Sequence, residues 1–288
     1  DMRADLVEIR AALRVVTTTQ DLAAITSAVG GDLVQVDAIS RGDLDPHFID
    51  AKPSFMVKLS KADLVVSIGM DLEVGWLPSL IAGARNPKLA SGGLGALDAS
   101  ATVSRIEVPT GSIDRSRGDL HGQGNPHYWL DPENGRAVAR AVAARLGQLD
   151  PAHTADFAAR LKTFEEALTA AEARWARAME PLRGVAVIGY HSTFNYFCAR
   201  YGLRVVGFVE PKPGIPPSPA HTLELGAKGA QERARVILVE PYHDPGDARP
   251  IAKASGAKVV TAPTSVGAEA SIVTYIDLFD ALVRALTE

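Results

Sequence analysis

The chain has 288 residues, 47% of them hydrophobic and 22% charged, with a formal net charge of -4. That length accommodates two domains of about 100–150 residues each. The mild acidity, with arginines scattered over helical segments, excludes a broad nucleic-acid face. The single cysteine, Cys198 in "FNYFCARYG", excludes an intramolecular disulfide and a Cys-rich metal site, and reads as a small core residue of a helix.

The chain opens on "DMRADLVEIRAALRVV", a charged stretch without the apolar core of a signal peptide. No apolar run approaches the roughly 20 residues that span a bilayer. Strand-like runs follow at 13–19 (LRVVTTT), 32–40 (DLVQVDAIS) and 62–69 (ADLVVSIG), with weaker ones in "LGALDA" and "SRIEV". Four more occur later, at 184–191, 203–211, 235–241 and 257–263. Short, β-branched, nearly continuous apolar runs are the pattern of strands buried on both faces, and helices between them imply parallel βαβ units.

The middle of the chain is helical. "LDPENGRAVARAVAARL" predicts a helix capped by Asp131 with Pro132 in its first turn, and "LDPAHTADFAARL" predicts a second, begun in the same way by Asp150 and Pro151. Phe157, Leu161, Phe164, Leu168, Ala171, Trp175 and Met179 form one stripe on the second helix, with no Gly or Pro until Pro181. About 28 residues at 1.5 Å each reach roughly 42 Å. The expected architecture is therefore α/β. Two lobes (1–150 and 183–288) with mostly parallel sheets flanked by helices are joined by one long rigid helix (151–182).

Seven histidines are present. His153 and His221 lie in first helical turns and read as surface residues. His47 ("GDLDPHFID") follows the second strand. His127 ("GNPHYWLDP") precedes a helix cap, and His191 ("VIGYHSTFNYF") ends the first strand of the second half. Ligands of open parallel sheets gather beyond the carboxyl ends of the strands, so these three would meet in the cleft between lobes. Neutral imidazole is the preferred nitrogen ligand of zinc and its neighbours. The proline before His47 and before His127 stiffens each loop. Tyr128 and Trp129 would pack around the second loop.

The motifs "DPHFIDAKPSFMVKLSKADLVVSIGMDLEVGWLPSL", "NPHYWLDPENG" and "GYHSTFNYFCARYGL" resemble the periplasmic solute-binding proteins of bacterial zinc and manganese ABC importers (cluster A-I), and the likeness runs over nearly the whole chain. The resemblance implies two lobes joined by a rigid helix and metal ligands at His47, His127 and His191. It also implies a monomer outside the cytoplasm that hands a divalent metal to a membrane permease, with no chemistry performed. Where the family usually carries an acid after its last strand, this chain has Thr264 and Ser265. The expected fourth ligand is Glu240, at the end of "RVILVEP", with Glu210 or water as alternatives. The family's long His-rich loop is missing, and His121, alone in the matching stretch, reads as a surface loop residue. Three imidazoles with at most one carboxylate favour zinc, with manganese second. A zinc hydrolase with an open water position is the competing reading, although no HExxH helix or nucleophile elbow occurs. A third reading is a binder of metal chelates.

Overall fold

The computed structural model of the chain describes residues 12–110 and 121–288. Two four-stranded sheets form, both wholly parallel. The first contains β1 Leu13–Thr17, β2 Val34–Ala38, β3 Leu64–Ser67 and β4 Ala96–Asp98, in the order β2-β1-β3-β4. The second contains β5 Ala186–Gly189, β6 Arg204–Phe208, β7 Val236–Val239 and β8 Lys258–Thr261, in the order β6-β5-β7-β8. The two orders are the same, although the two halves share no visible sequence repeat. Each reverses its direction of winding at the middle of the sheet, the place where such folds open a crevice at the strand ends. The expected strand at "SRIEV" is absent: its flanks serve other partners. The Ser104 amide bonds to the Asn134 side chain, and the Ile106 carbonyl accepts from the Asn125 amide.

Helices α1 Gln20–Gly30, α2 Pro53–Ser60, α3 Leu77–Ala84 and α4 Pro132–Leu149 surround the first sheet, and α6 Asn195–Tyr201, α7 Pro219–Gln231, α8 Arg249–Ser255 and α9 Tyr275–Thr287 the second. Between them runs α5, Thr154–Met179, 26 residues long. Six of its seven stripe residues are buried, and Leu161 is partly so, packed against the same core. Asp131 caps α4 through its side chain, with Pro132 in the first turn, as the sequence predicts. Asp150 behaves differently. A short 3-10 turn, Pro151–His153, precedes α5, and the Asp150 carboxylate takes the His153 ring Nδ1 at 2.7 Å instead of capping the helix.

The core is continuous across the molecule. Leu22, Leu64, Val66, Leu146, Leu168, Trp175, Val187, Leu238 and Phe279 belong to one buried cluster drawn from both sheets. Smaller clusters lie under α2 and α3 on one outer face and under α7 and α8 on the other. Helix α9 returns to pack along α5 and α1, and the Trp175 indole donates to Asp280 at 2.6 Å. The loop after β8 is also fastened to the first half. Asp21 accepts from the Ser265 hydroxyl (2.5 Å) and the Val266 amide (2.9 Å), and the Trp129 indole donates to the Thr264 carbonyl (2.8 Å). A Cβ on Gly42 would lie 2.0 Å from the Val266 carbonyl oxygen, so only glycine permits this approach. Cys198 is buried in α6, as expected. Among the described residues, no helix is long and apolar enough to cross a membrane.

Candidate metal centre

Three histidines converge at the carboxyl ends of the strands. His47 comes from the loop after β2, His191 from the end of β5, and His127 from the turn that leads into α4. One ring nitrogen from each lies within 4.8 Å of the others. The ring centroids are 5.2 Å apart for His47–His127, 5.5 Å for His47–His191 and 5.2 Å for His127–His191. His127 is fully buried, and the other two side chains are only 10% and 11% exposed.

Each ring is held from behind. The Asp45 carboxylate accepts from the His47 Nδ1 at 2.7 Å and from its backbone N–H at 3.0 Å. The Asn125 carboxamide oxygen does the same for His127, at 2.8 Å and 3.0 Å. The Glu210 carboxylate, at the end of β6, takes the His191 Nδ1 at 2.8 Å. Oxygens that only accept must face a protonated Nδ1. The lone pair therefore resides on Nε2, and all three Nε2 atoms are buried without a partner. Three buried imidazole nitrogens left without a partner, on rings gathered this closely and oriented from behind, suit a nitrogen-rich cation site.

The supports are themselves anchored. The Trp76 indole donates to the Pro46 carbonyl at 2.9 Å, fixing the turn that carries His47. The Asn125 amide nitrogen donates to Glu107 (2.9 Å) and across to the Ser192 carbonyl (2.8 Å), so all its bonding capacity is used. Tyr128 and Trp129 are buried, and the Trp129 ring lies 5.3 Å from that of His127.

Electrostatics suit a cation. Burial, then the neighbouring His191, His47 and His121, push His127 well below the ordinary histidine range, so it stays neutral and able to ligate. Burial alone would raise Asp45, but the hydrogen bonds it accepts from the His47 ring and backbone help hold it below the usual carboxylate value. Asp45 and Glu210 thus bring carboxylates to the back of two rings.

Glu240 stands apart from the three rings. It is fully buried at the end of β7, yet it is not among the groups that gather within 4.8 Å. Both of its carboxyl oxygens are buried without a hydrogen-bond partner, and burial pushes its pKa up to about 8. The His121 ring, by contrast, stands 5.4 Å from that of His47, and its Nε2 is buried without a partner. Burial and the nearby His47 and His191 lower it to about 4. Among the described residues, the other histidines have different surroundings: His153 pairs with Asp150, the His221 ring meets the Phe208 carbonyl at 2.9 Å, and His243 stacks on Tyr190 at 4.1 Å.

Comparison with known proteins identifies the family. Residues 15–288 match the profile of the family described as ZnuA, zinc-uptake complex component A, periplasmic. The chain belongs to this family. Within it, the chain is 27% identical over 300 residues to the high-affinity zinc uptake system protein ZnuA of Paracoccus denitrificans, covering 96% of this chain and 91% of that one. It is 27% identical over 248 residues to the manganese ABC transporter substrate-binding lipoprotein PsaA of Streptococcus pneumoniae, covering 84% and 76%. A crystal structure of ZnuA shares the fold, with a TM-score of 0.80 over 96% of this chain and 98% of that one at 23% identity. These relatives carry the names of transport components, and a metal-binding component of an importer is what the family membership supports.

Proposed function

We propose that this protein captures a divalent transition metal outside the cytoplasm, zinc first and manganese second, and delivers it to a membrane ABC permease without performing chemistry on it. His47, His127 and His191 are the donors. The observation that carries this reading is the set of three buried Nε2 atoms, each unpartnered and each oriented by an acceptor behind its ring. Neutral nitrogen donors favour zinc, whereas the harder manganese ion prefers oxygen. The PsaA relative, named for manganese, supports keeping manganese as the second cargo. Glu240, expected from the sequence as the fourth donor, is assigned instead to the wall behind His191.

The test is elemental analysis and titration of chelator-stripped protein. Zinc should bind one ion per chain. His47→Ala, His127→Ala and His191→Ala should each weaken it at least tenfold, about 1.4 kcal/mol, while His153→Ala should not. Equal behaviour of all four variants would overturn the assignment. Hydrolysis of simple esters or phosphates by the zinc-loaded protein would argue instead for the hydrolase reading.

A further inference from the structure

We propose that His121 closes the site as a fourth imidazole ligand, so that the ion is held by nitrogen alone. The inference rests on the metal-binding reading above. Among the described residues, four histidine Nε2 atoms are buried and unpartnered: those of His47, His127 and His191, and that of His121. The His121 ring stands as close to His47 (5.4 Å) as the three accepted donors stand to one another (5.2–5.5 Å).

His121 is also oriented like the others. Its ring hydrogen-bonds to the Met70 carbonyl, and since Nε2 has no partner, the donor is Nδ1. The lone pair is again on Nε2. The Met70 carbonyl is aimed by an unusual turn. Gly69, Met70 and Asp71 are successive left-handed residues, with φ of 79°, 52° and 63°. L-residues avoid that region, and such strain persists only where surrounding structure enforces it. Here Glu73 enforces it. Buried beneath the turn, its carboxylate takes the Ile68 amide (2.7 Å), the Gly69 amide (3.1 Å) and the Thr18 hydroxyl (2.6 Å). A strained turn braced by a buried acid, presenting a carbonyl to one histidine ring, parallels the support that Asp45, Asn125 and Glu210 give the other three.

The His121 nitrogen lies outside the 4.8 Å group formed by the other three. Donors around a tetrahedral zinc sit about 3.3 Å apart, so ligation draws all four inward, His121 the furthest. Glu240 is the rival for the fourth position, since its two carboxyl oxygens are likewise buried without a hydrogen-bond partner and likewise lie outside the 4.8 Å group; Glu240→Gln, which on this inference stays close to wild type, separates the two. Four neutral nitrogens sharpen the preference for zinc over manganese.

The experiment uses the full chain, stripped and reloaded with cobalt(II), zinc or manganese. Wild-type cobalt protein should give a tetrahedral spectrum that azide does not alter. His121→Ala should bind zinc at least tenfold more weakly, admit azide to the cobalt, and narrow the zinc-to-manganese ratio. His121→Asn, which keeps a donor for the Met70 carbonyl but lacks Nε2, should behave like His121→Ala. Three results would each overturn the proposal: zinc binding by His121→Ala within twofold of wild type, azide entering the wild-type site, or full rescue by His121→Asn. If His127→Ala abolishes binding while His121→Ala does not, only this inference fails. If wild type binds no metal, both readings fail.

Discussion

Glu210 reaches across from the end of β6 to take the ring of His191, at the end of the neighbouring β5, at 2.8 Å. The bond decides which nitrogen of that ring can face an ion. Removing it with Glu210→Ala leaves the tautomer and the ring angle unfixed. Loss of such a partner typically weakens a metal site 10–100-fold. We expect a loss of about that size for Glu210→Ala and Asp45→Ala, measured by competition with a chromophoric chelator. Glu240→Gln should stay within about threefold of wild type, because Glu240 lies outside the group formed by the three ring nitrogens. A larger loss for Glu240→Gln than for Glu210→Ala would reverse the roles assigned to the two acids.

Metal should stabilise the whole chain. A ligand that binds only the folded state at 1,000 times its Kd adds about 4.1 kcal/mol, worth on the order of 10 °C in a chain of this size. Scanning calorimetry with and without zinc should therefore show a shift of that order for wild type and a much smaller one for His127→Ala. An equal shift in both would mean that zinc stabilises the protein from some other place.

Asp21 makes a pH prediction. It is buried between α1 and the loop after β8, and burial raises its carboxyl to about 7 despite hydrogen bonds from Ser265 and Val266. Its unfolded value is near 4. Between those values the folded chain holds a proton that the unfolded chain has lost. Stability contributed by this group therefore declines as pH rises from about 4 to 7, and is flat beyond, with a slope of at most about 1.4 kcal/mol per unit. Asp21→Asn removes the titration. The difference in unfolding free energy between wild type and this variant should fall across that window in urea titrations of the metal-free protein. Parallel profiles at pH 4.5, 5.5, 6.5 and 8 would contradict it.

Leu168, in the middle of α5, is fully buried in the core common to both sheets. Leu168→Ala should cost about 2–5 kcal/mol through lost burial and the cavity left behind, with zinc affinity nearly unchanged. Urea unfolding followed by both far-ultraviolet circular dichroism and tryptophan fluorescence would check the magnitude. It would also check whether one transition persists, as a continuous core requires.

Much of this was legible in the residues. Eight of the nine apolar runs are strands, and the stripe from Phe157 to Met179 marks the face of α5 that is buried. His47, His127 and His191 stand out because strand ends and proline turns are local features. What escaped is long-range. "SRIEV" has strand composition, but its partners, Asn134 and Asn125, are distant in sequence. Asp150 precedes a proline as Asp131 does, yet the nearby His153 ring takes its carboxylate. A strand end locates the backbone of Glu240 but not the direction of its carboxyl. His121 read as a surface residue because the turn that receives its ring lies some fifty residues earlier in the chain. One signal was present and unused. In "DPH" and "NPH" the residue two before each histidine is a short acceptor, which a rigid proline returns to the ring.

The matching strand orders of the two sheets have a further meaning. Neither half carries the whole cluster: the first brings His47 and His127, the second His191 with Glu210. Even the orientation of His127 depends on the other half, through the bond from Asn125 to the Ser192 carbonyl. Cargo binding is thus a logical conjunction. On the proposed reading it would report that both halves have folded and have met in register, and a chain nicked or half-made would carry imidazoles without holding an ion.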